Sequence, residues 1–252
     1  MKSPIKWAGG KSWLAGTVKD LYIKTGQKRI VEPFCGSCAV TFTIEPKKAL
    51  LNDINYPLIN FYQQLKKGHS FDLDVYDLTK EKYYEVRAAF NRLKSNKNED
   101  FYLAEYFYYL NKASFNGLYR ENQKGEFNTP WGKRKKISPI KTTAEDLVNY
   151  EFSCGEYQDL AIARTDFLFV DPPYDTEFTS YSAAGFDFTD QCNLVDWLLN
   201  FNIPFVLTNK ATDRINTLYY SKNLKLNFVE APRRISCTGD RQPALEVIAT
   251  NF

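Results

Sequence analysis

Four consecutive residues, Asp171-Pro172-Pro173-Tyr174, carry the groups that are needed to hold a planar amino group for transfer chemistry. An exocyclic amino group is a poor nucleophile, because its lone pair is delocalised into the ring. Acceptors for both of its N–H bonds, the Asp171 carboxylate and the Pro172 carbonyl, would favour attack by the lone pair, and the Tyr174 ring would stack on the base. We therefore predict Asp171, Pro172 and Tyr174 as catalytic residues. The alternative is an ordinary capped turn.

The segment before these four residues predicts where they lie. Residues 166–170 are a short apolar run that is typical of a buried strand. The two prolines end that strand, because proline cannot continue a strand ladder. In open α/β sheets ligands bind at the C-terminal edge of the strands, so we expect the site at this edge.

The first third of the chain shows the pattern of a nucleotide-binding unit. A strand over 29–32 is followed by a glycine-bearing turn, Pro33 to Cys38, and by an apolar stretch over 39–44. Strand, turn and helix in this order begin a Rossmann-like fold. A second strand ends at Asp53, about twenty residues after the turn, where an acidic residue accepts hydrogen bonds from ribose hydroxyls. The alternative for Asp53 is an N-cap of the next helix.

The remaining pattern divides the chain. Strands are expected over 150–153, 204–208, 226–229 and 244–250, whereas residues 56–110 show helical periodicity and residues 111–141 are polar and basic. We predict an α/β fold with a Rossmann-like, mostly parallel sheet built from residues 1–55 and 146–252. A mainly helical domain, residues 56–145, is inserted into it.

Composition and charge indicate a folded protein with a basic surface. The chain has 252 residues, of which 44% are hydrophobic and 25% charged, and a net charge of +3. Residues 112–141 contain eight Lys or Arg and two Glu, a net charge of +6, so the rest of the chain sums to −3. This segment is either a phosphate-binding surface or a solvated basic loop.

The cysteines argue against a disulfide framework and against metal chemistry. There are five, an odd number, and they are scattered. Cys35 and Cys38 form a C-x-x-C pair, but a structural zinc site needs a second pair of ligands at suitable spacing. We expect no metal. Since no run approaches membrane-spanning length, we expect a cytoplasmic protein.

Three further motifs accompany the Asp-Pro-Pro-Tyr sequence: Lys6 to Lys11, Glu32 to Ser37, and Asn116 to Asn122 continuing through Gly125 to Gly132. In this order, over nearly the whole chain, they resemble those of the Dam-type DNA adenine-N6 methyltransferases (D12 class, alpha group). That family joins an α/β core, which binds S-adenosylmethionine, to an inserted target-recognition domain. The third motif is similar to the hairpin by which members that methylate GATC and related sites enter the major groove.

The resemblance implies the cofactor and the site residues. The cofactor would be S-adenosylmethionine, with Lys11 pairing with its carboxylate and Asp53 holding its ribose. The implied cofactor-binding residues are Trp7, Lys11, Phe34, Gly36, Asp53 and Asp171. The implied DNA-binding residues are Lys6, Asn116, Leu118, Arg120, Asn122, Pro130, Lys133 and Arg134.

Individual roles on DNA follow from side-chain chemistry and from the resemblance. Arg120 can bond guanine O6 and N7, Leu118 can touch a thymine methyl group with Pro130 nearby, and Lys6 is similar to a residue that approaches guanine. The run 133–136 would contact phosphates. Arg233 and Arg234 would do the same or would be surface charge.

The implied reaction is methylation of adenine N6 in duplex DNA, within GATC, as in restriction-modification. The base would be flipped out, and the methyl group would pass directly, in line, to nitrogen. The segment 175–190 would be a lid or only a connection. Double-stranded DNA would be the partner of a monomer, or of a dimer on DNA. The chain would work near the nucleoid of a prokaryote or be encoded by a phage.

One residue departs from the family pattern. Cys38 replaces the second glycine of the first cofactor loop, and its side chain could crowd the methionine part of the cofactor. This leaves open a catalytically impaired DNA-binding homologue. Another alternative is a different amino group, since Asp-Pro-Pro-Tyr also serves methylation of cytosine N4, RNA and protein glutamine.

Overall fold

A computed structural model of the chain describes residues 1–71, 77–95, 100–137, 139–175, 185–232 and 244–252. The strands, in chain order, are β1 (Arg29–Glu32), β2 (Ala49–Asp53), β3 (Tyr150–Cys154), β4 (Asp166–Val170), β5 (Phe205–Lys210), β6 (Lys225–Ala231) and β7 (Ala244–Thr250). The α-helices are α1 (Ala15–Thr25), α2 (Ala39–Ile44), α3 (Tyr56–Lys66), α4 (Lys80–Lys94), α5 (Phe101–Ala113), α6 (Ala144–Leu147), α7 (Phe188–Leu199) and α8 (Asp213–Ser221).

The described strands form one mostly parallel sheet in the order β3-β2-β1-β4-β5-β7-β6. β1 to β5 pair in parallel, and only β7 runs antiparallel to its neighbours β5 and β6. This confirms the α/β fold and the mostly parallel sheet. The chain leaves β1 towards β2 on one side and reaches β4 on the other, so β1 and β4 border the switch point where such sheets bind ligands.

The central strands are apolar runs because helices cover both faces of the sheet. Every residue of β4 is buried, as expected for a parallel strand between two helical layers. Alternate side chains point to opposite faces. Leu168 and Val170 lie in the cluster that includes residues of α7 and α8, and Phe167 and Phe169 lie in the cluster with residues of α1 and α2.

Helix starts agree with the capping residues in the sequence. The Asn55 side chain accepts from the Leu58 backbone N–H at 3.1 Å and caps α3, whose first turn contains Pro57. Asp187 and Asp190 form a capping box at the start of α7.

The helices of the inserted segment share a core with the sheet. One cluster of buried side chains contains Leu51 of β2 together with Phe61 of α3, Phe90 of α4 and Phe107 of α5. The segment is therefore packed directly against the strand that ends in Asp53. None of the helices in the described ranges is long and apolar enough to cross a bilayer.

Candidate active site

A cavity of about 400 Å³ opens at the switch point between β1 and β4. Its walls come from the loops that follow β1, β2 and β4 and from residues 7–11 of the N-terminal segment. Trp7, Lys11, Phe34, Gly36, Asp53 and Asp171 all line it. The structure therefore brings together the six residues that were predicted to bind the cofactor, along with Pro172 and Tyr174.

Asp171 lies at the end of β4 with two partners on one carboxylate oxygen. The Thr208 hydroxyl donates to Oδ1 at 2.7 Å, and the Lys11 ammonium lies 3.2 Å from the same atom. Lys11 is buried, and its ammonium also donates to the Gly9 carbonyl at 2.8 Å. The cation and the hydroxyl together hold the Asp171 carboxylate in place at the cavity wall.

Two buried amide side chains hold the backbone of Pro173 and Asp175. Gln191 of α7 donates to the Pro173 carbonyl at 2.8 Å. Asn209 of β5 accepts from the Asp175 backbone N–H at 3.0 Å and donates to the Gln191 side chain at 3.0 Å. Sequence reasoning missed both amides, although Asn209 lies at the C-terminal end of the apolar strand β5, at the same sheet edge as Asp171, which is the available signal.

Tyr174 is held at both its ring and its hydroxyl. The hydroxyl donates to Glu246 Oε2 of β7 at 2.8 Å, and the Lys11 ammonium lies 4.6 Å from the ring centroid. Burial, with the nearby carboxylates of Asp171 and Glu246, raises the pKa of Tyr174 well above its ordinary value. The phenol therefore stays neutral and keeps its proton, through which it donates the hydrogen bond to Glu246. Glu246 also had no predicted role.

The loop after β1 and the end of β2 are joined by Asp53. Its carboxylate accepts from the Gly36 backbone N–H at 3.0 Å and from the Asn55 backbone N–H at 2.9 Å. Burial raises the pKa of Asp53, and these backbone N–H bonds oppose the shift. Since Asn55 is the N-cap of α3, the alternative in which Asp53 caps this helix is wrong.

Cys38 lies at the N-terminus of α2 in the left-handed conformation, with φ 52°. Glycine adopts this conformation without strain, which accounts for the glycine in the family pattern. The Cys38 side chain is fully buried in the cluster that contains Phe42 and Tyr62, whereas Cys35 is among the residues that line the cavity. The geometry thus places the Cys38 thiol in the core and gives no support to crowding of the cofactor.

Residues 114–131 form a hairpin beside the cavity. Isolated antiparallel bridges join Ser114 to Trp131 and Glu121 to Phe127. Asn122 shapes the turn, because its side-chain oxygen accepts from the backbone N–H groups of Lys124 and Glu126 at 2.9 and 3.0 Å. Asn122 thus has a structural role in the turn.

The exposed side chains of the hairpin and of the basic run that follows it include most of those expected to contact DNA. Asn116, Arg120, Pro130, Lys133 and Arg134 are exposed, and Leu118 is partly exposed. Arg120 donates through Nε to the Asn128 side-chain oxygen at 2.8 Å. Asn128 is a further residue that the sequence did not single out, and it orients the guanidinium of Arg120.

Lys6 and Trp7 connect the hairpin to the cavity. The Asn111 side chain accepts from the Lys6 backbone N–H at 2.9 Å and donates to its carbonyl at 2.6 Å. The Trp7 ring stacks on Tyr119 of the hairpin at 5.6 Å between centroids. The cavity wall and the hairpin therefore share one short segment of chain.

Positive charge is concentrated where Lys6 meets the hairpin. Burial and the nearby charge of Arg134 lower the pKa of Lys6. Burial and the charge of Lys6 lower the pKa of Lys112 to about 8. Such mutual repulsion is relieved when an anion binds, which is typical of a phosphate-binding surface.

Some expectations concern residues outside the described ranges. Arg233 and Arg234 lie there, as does most of the suggested lid, residues 176–184. Within the described residues, no cluster of three or more His, Cys, Asp or Glu side chains is arranged to hold a metal ion.

Comparison with known proteins agrees with this geometry. The sequence model of the D12 class N6 adenine-specific DNA methyltransferases matches residues 7–232. A DNA N-6-adenine-methyltransferase of Escherichia phage P1 is 36% identical over 95% of the chain, which spans 34% of that longer protein.

Two other relatives match over nearly their whole length. The retron Ec67 DNA adenine methylase of Escherichia coli is 32% identical, covering all of the chain and 92% of the relative. The type II methyltransferase M.MjaIII of Methanocaldococcus jannaschii is 33% identical, covering 96% of the chain and 95% of the relative. The chain therefore belongs to the D12 class of N6 adenine-specific DNA methyltransferases.

Proposed function

We propose that this chain transfers a methyl group from S-adenosylmethionine to N6 of adenine in duplex DNA, within the sequence GATC. The observation that carries the proposal is the position of Asp171 and Tyr174. Both lie on the wall of a cavity of about 400 Å³, and the hairpin adjoins that cavity through Lys6 and Trp7. A volume of this size is in the range of small-molecule sites.

The cavity suits the chemistry of S-adenosylmethionine. Asp53 is available to the ribose hydroxyls, and Trp7 and Phe34 offer apolar faces to the adenosine part. Gly36 leaves room for the Trp7 ring, since a Cβ at Gly36 would lie 2.8 Å from Trp7 Cδ1. When bound, the cofactor supplies a methyl group carried on a positively charged sulfur. A nitrogen nucleophile can attack that methyl group directly, with the sulfur as the leaving group. Because Lys11 already pairs with Asp171, we extend its role to holding that carboxylate in position.

The target base is positioned by the four residues after β4. We infer that adenine is flipped out of the duplex, at a cost of a few kcal/mol, and stacks on the Tyr174 ring. Its amino group then donates to the Asp171 carboxylate and to the Pro172 carbonyl. These acceptors localise the nitrogen lone pair for attack. No covalent intermediate with the enzyme is required, because the sulfonium of the cofactor is already a good leaving group. Gln191 and Asn209 support this arrangement, because they fix the adjoining backbone before the base arrives.

We propose that residues 56–145 are the DNA-recognition domain, with the hairpin as its reading element. The Nε bond from Arg120 to Asn128 leaves the two terminal nitrogens of the guanidinium for guanine O6 and N7. Such a pair contributes roughly 1–3 kcal/mol of discrimination. Lys6, Asn116, Leu118 and Pro130 would approach the neighbouring bases.

The exposed run 133–136 suits phosphate contacts, which give affinity without specificity. We propose that the protein acts in the cytoplasm, at the nucleoid, as a monomer or as a dimer on DNA.

The test is transfer of labelled methyl from S-adenosylmethionine to unmethylated duplexes that contain GATC or a scrambled site. Label is expected on adenine N6 of the GATC duplex only, and Asp171→Ala should abolish it. Arg120→Ala is the matched variant for recognition and should reduce the preference for GATC while leaving transfer chemistry intact. Equal label on both duplexes with the wild-type protein would refute the GATC assignment, and no label on either would refute the proposed activity.

A further inference from the structure

Glu246 is a buried carboxylate beside the catalytic residues. It lies near the start of β7, in register with Lys210 of β5, and is 8% exposed. It is far in sequence from Asp171 and Tyr174, and no motif in the sequence pointed to it. Its position on β7 brings it to the same edge of the sheet as the end of β4.

Glu246 belongs to a cluster of four groups that hold one another. Glu246 Oε2 accepts from the Tyr174 hydroxyl at 2.8 Å and lies 4.0 Å from the Lys11 ammonium. The same ammonium lies 3.2 Å from Asp171 Oδ1 and 4.6 Å from the centre of the Tyr174 ring. Lys11 is thus shared between the carboxylate that would bind the amino group and the carboxylate that binds the phenol.

The hydrogen bond to Glu246 orients the Tyr174 ring, which the backbone alone does not fix. Pro172 and Pro173 restrict the chain before Tyr174, and Asn209 holds the backbone after it. Two side-chain torsions still set the plane of the ring. A hydrogen bond at the far end of the phenol fixes the direction of the ring axis. Because a phenolic O–H prefers the plane of its ring, the bond also favours one setting of that plane, so the ring can present its face before a base enters. Ordering a side chain in advance removes an entropic cost from the bound state.

We propose that Glu246 is a positioning residue for Tyr174, which it holds in the orientation that stacks on the extruded adenine. This inference depends on the proposed function, because only there does the ring meet a base. A purely structural role for Glu246, as a partner of the buried Lys11, predicts a different pattern of variants.

The experiment compares Glu246→Ala, Glu246→Gln, Tyr174→Phe and the double variant Tyr174→Phe/Glu246→Ala with the wild type. Single-turnover methylation of a GATC duplex at saturating cofactor reports the rate. A duplex with 2-aminopurine at the target position reports stacking, since aromatic contact quenches its fluorescence. Chemical unfolding of the same proteins, without substrate, reports their folding and the strength of the Tyr174–Glu246 bond.

Glu246→Ala and Tyr174→Phe should each lower the methylation rate about tenfold, and the double variant should be no slower than either by more than about twofold. Glu246→Gln should stay within about threefold of the wild type, because its amide oxygen accepts the same bond. In the impaired variants the 2-aminopurine fluorescence of the bound duplex should rise, since the base is flipped but poorly stacked.

Three results would overturn the proposal. They are a wild-type rate for a folded Glu246→Ala variant, a double variant slowed by the product of the single effects, and a Glu246→Gln variant as slow as Glu246→Ala. Failure of the proposed function looks different, because the wild-type protein itself would transfer no methyl group. In that case non-additive effects of the two substitutions on the free energy of unfolding would show that the Tyr174–Glu246 hydrogen bond exists only as a structural contact.

Discussion

Substitution of Cys38 by glycine tests how the first cofactor loop tolerates the residue that departs from the family pattern. Cys38 has φ 52° and ψ 29° and is fully buried. A side chain in this left-handed conformation costs about 1–2 kcal/mol. Cys38→Ala keeps that strain and removes only the sulfur from the core, so it should destabilise the protein by about 1 kcal/mol.

Cys38→Gly removes the strain as well as the side chain. Glycine normally costs about 0.5–1 kcal/mol relative to alanine, because the unfolded chain gains freedom. Relief of the left-handed strain, of similar or larger size, offsets this cost and the small loss of methyl packing. We therefore expect the Cys38→Gly and Cys38→Ala variants to have free energies of unfolding equal within about 0.5 kcal/mol.

The assay is urea unfolding of both variants beside a matched control, Ala88→Gly. Ala88 is exposed in the middle of α4, where the same change from alanine to glycine should cost about 1 kcal/mol. A Cys38→Gly protein less stable than Cys38→Ala by as much as this control would refute the strain argument. Calorimetry should also give cofactor affinities within about twofold of the wild type, because the Cys38 side chain lies in the core. Tenfold tighter binding by Cys38→Gly would show that the thiol does obstruct the cofactor.

Three other perturbations have definite expected outcomes. Burial raises the pKa of Glu32 to about 7, with Thr41 opposing and Asp171 adding to the shift. The folded protein therefore binds the Glu32 proton more tightly than the unfolded chain does. This proton stabilises the fold in full below pH about 4.5, and the stabilisation falls by about 3 kcal/mol as pH rises to about 7. Glu32→Gln should flatten that part of the pH–stability curve in urea unfolding, and an unchanged slope would contradict the assignment. Gly36→Ala should weaken cofactor binding at least tenfold in calorimetry, because the new Cβ would lie 2.8 Å from Trp7 Cδ1 at a positive φ of 46°. Its control, Gly16→Ala, meets nothing within 4 Å and should bind normally, so equal affinities for the two variants would refute the contact. Lys135→Ala should weaken binding of GATC and scrambled duplexes alike and reduce the slope of log affinity against log salt by about one. A selective loss for GATC would instead make Lys135 a base-reading residue.

The sequence by itself determined the elements of the fold and the type of chemistry. Strand β4 is an apolar run ended by two prolines, and β2 ends in an acidic residue at the spacing of a ribose contact. These are local properties, because a fully buried strand and the residues that stop it are adjacent in the chain. The position of Asp171 and Asp53 at one edge of the sheet follows from them, since parallel strands bring their C-terminal ends together.

Only the tertiary structure decided which groups meet at that edge. The sequence did not indicate that Lys11 pairs with Asp171, or that Tyr174 bonds to Glu246, a residue 72 positions away. The latter contact exists because β7 is inserted between β5 and β6, and no local pattern specifies that pairing. The direction of the Cys38 side chain was likewise undecided. It depends on the left-handed backbone at the start of α2, and the thiol lies in the core and not among the residues that line the cavity. Contacts between distant segments depend on strand order and backbone conformation together, and the sequence pattern reports only what lies close along the chain.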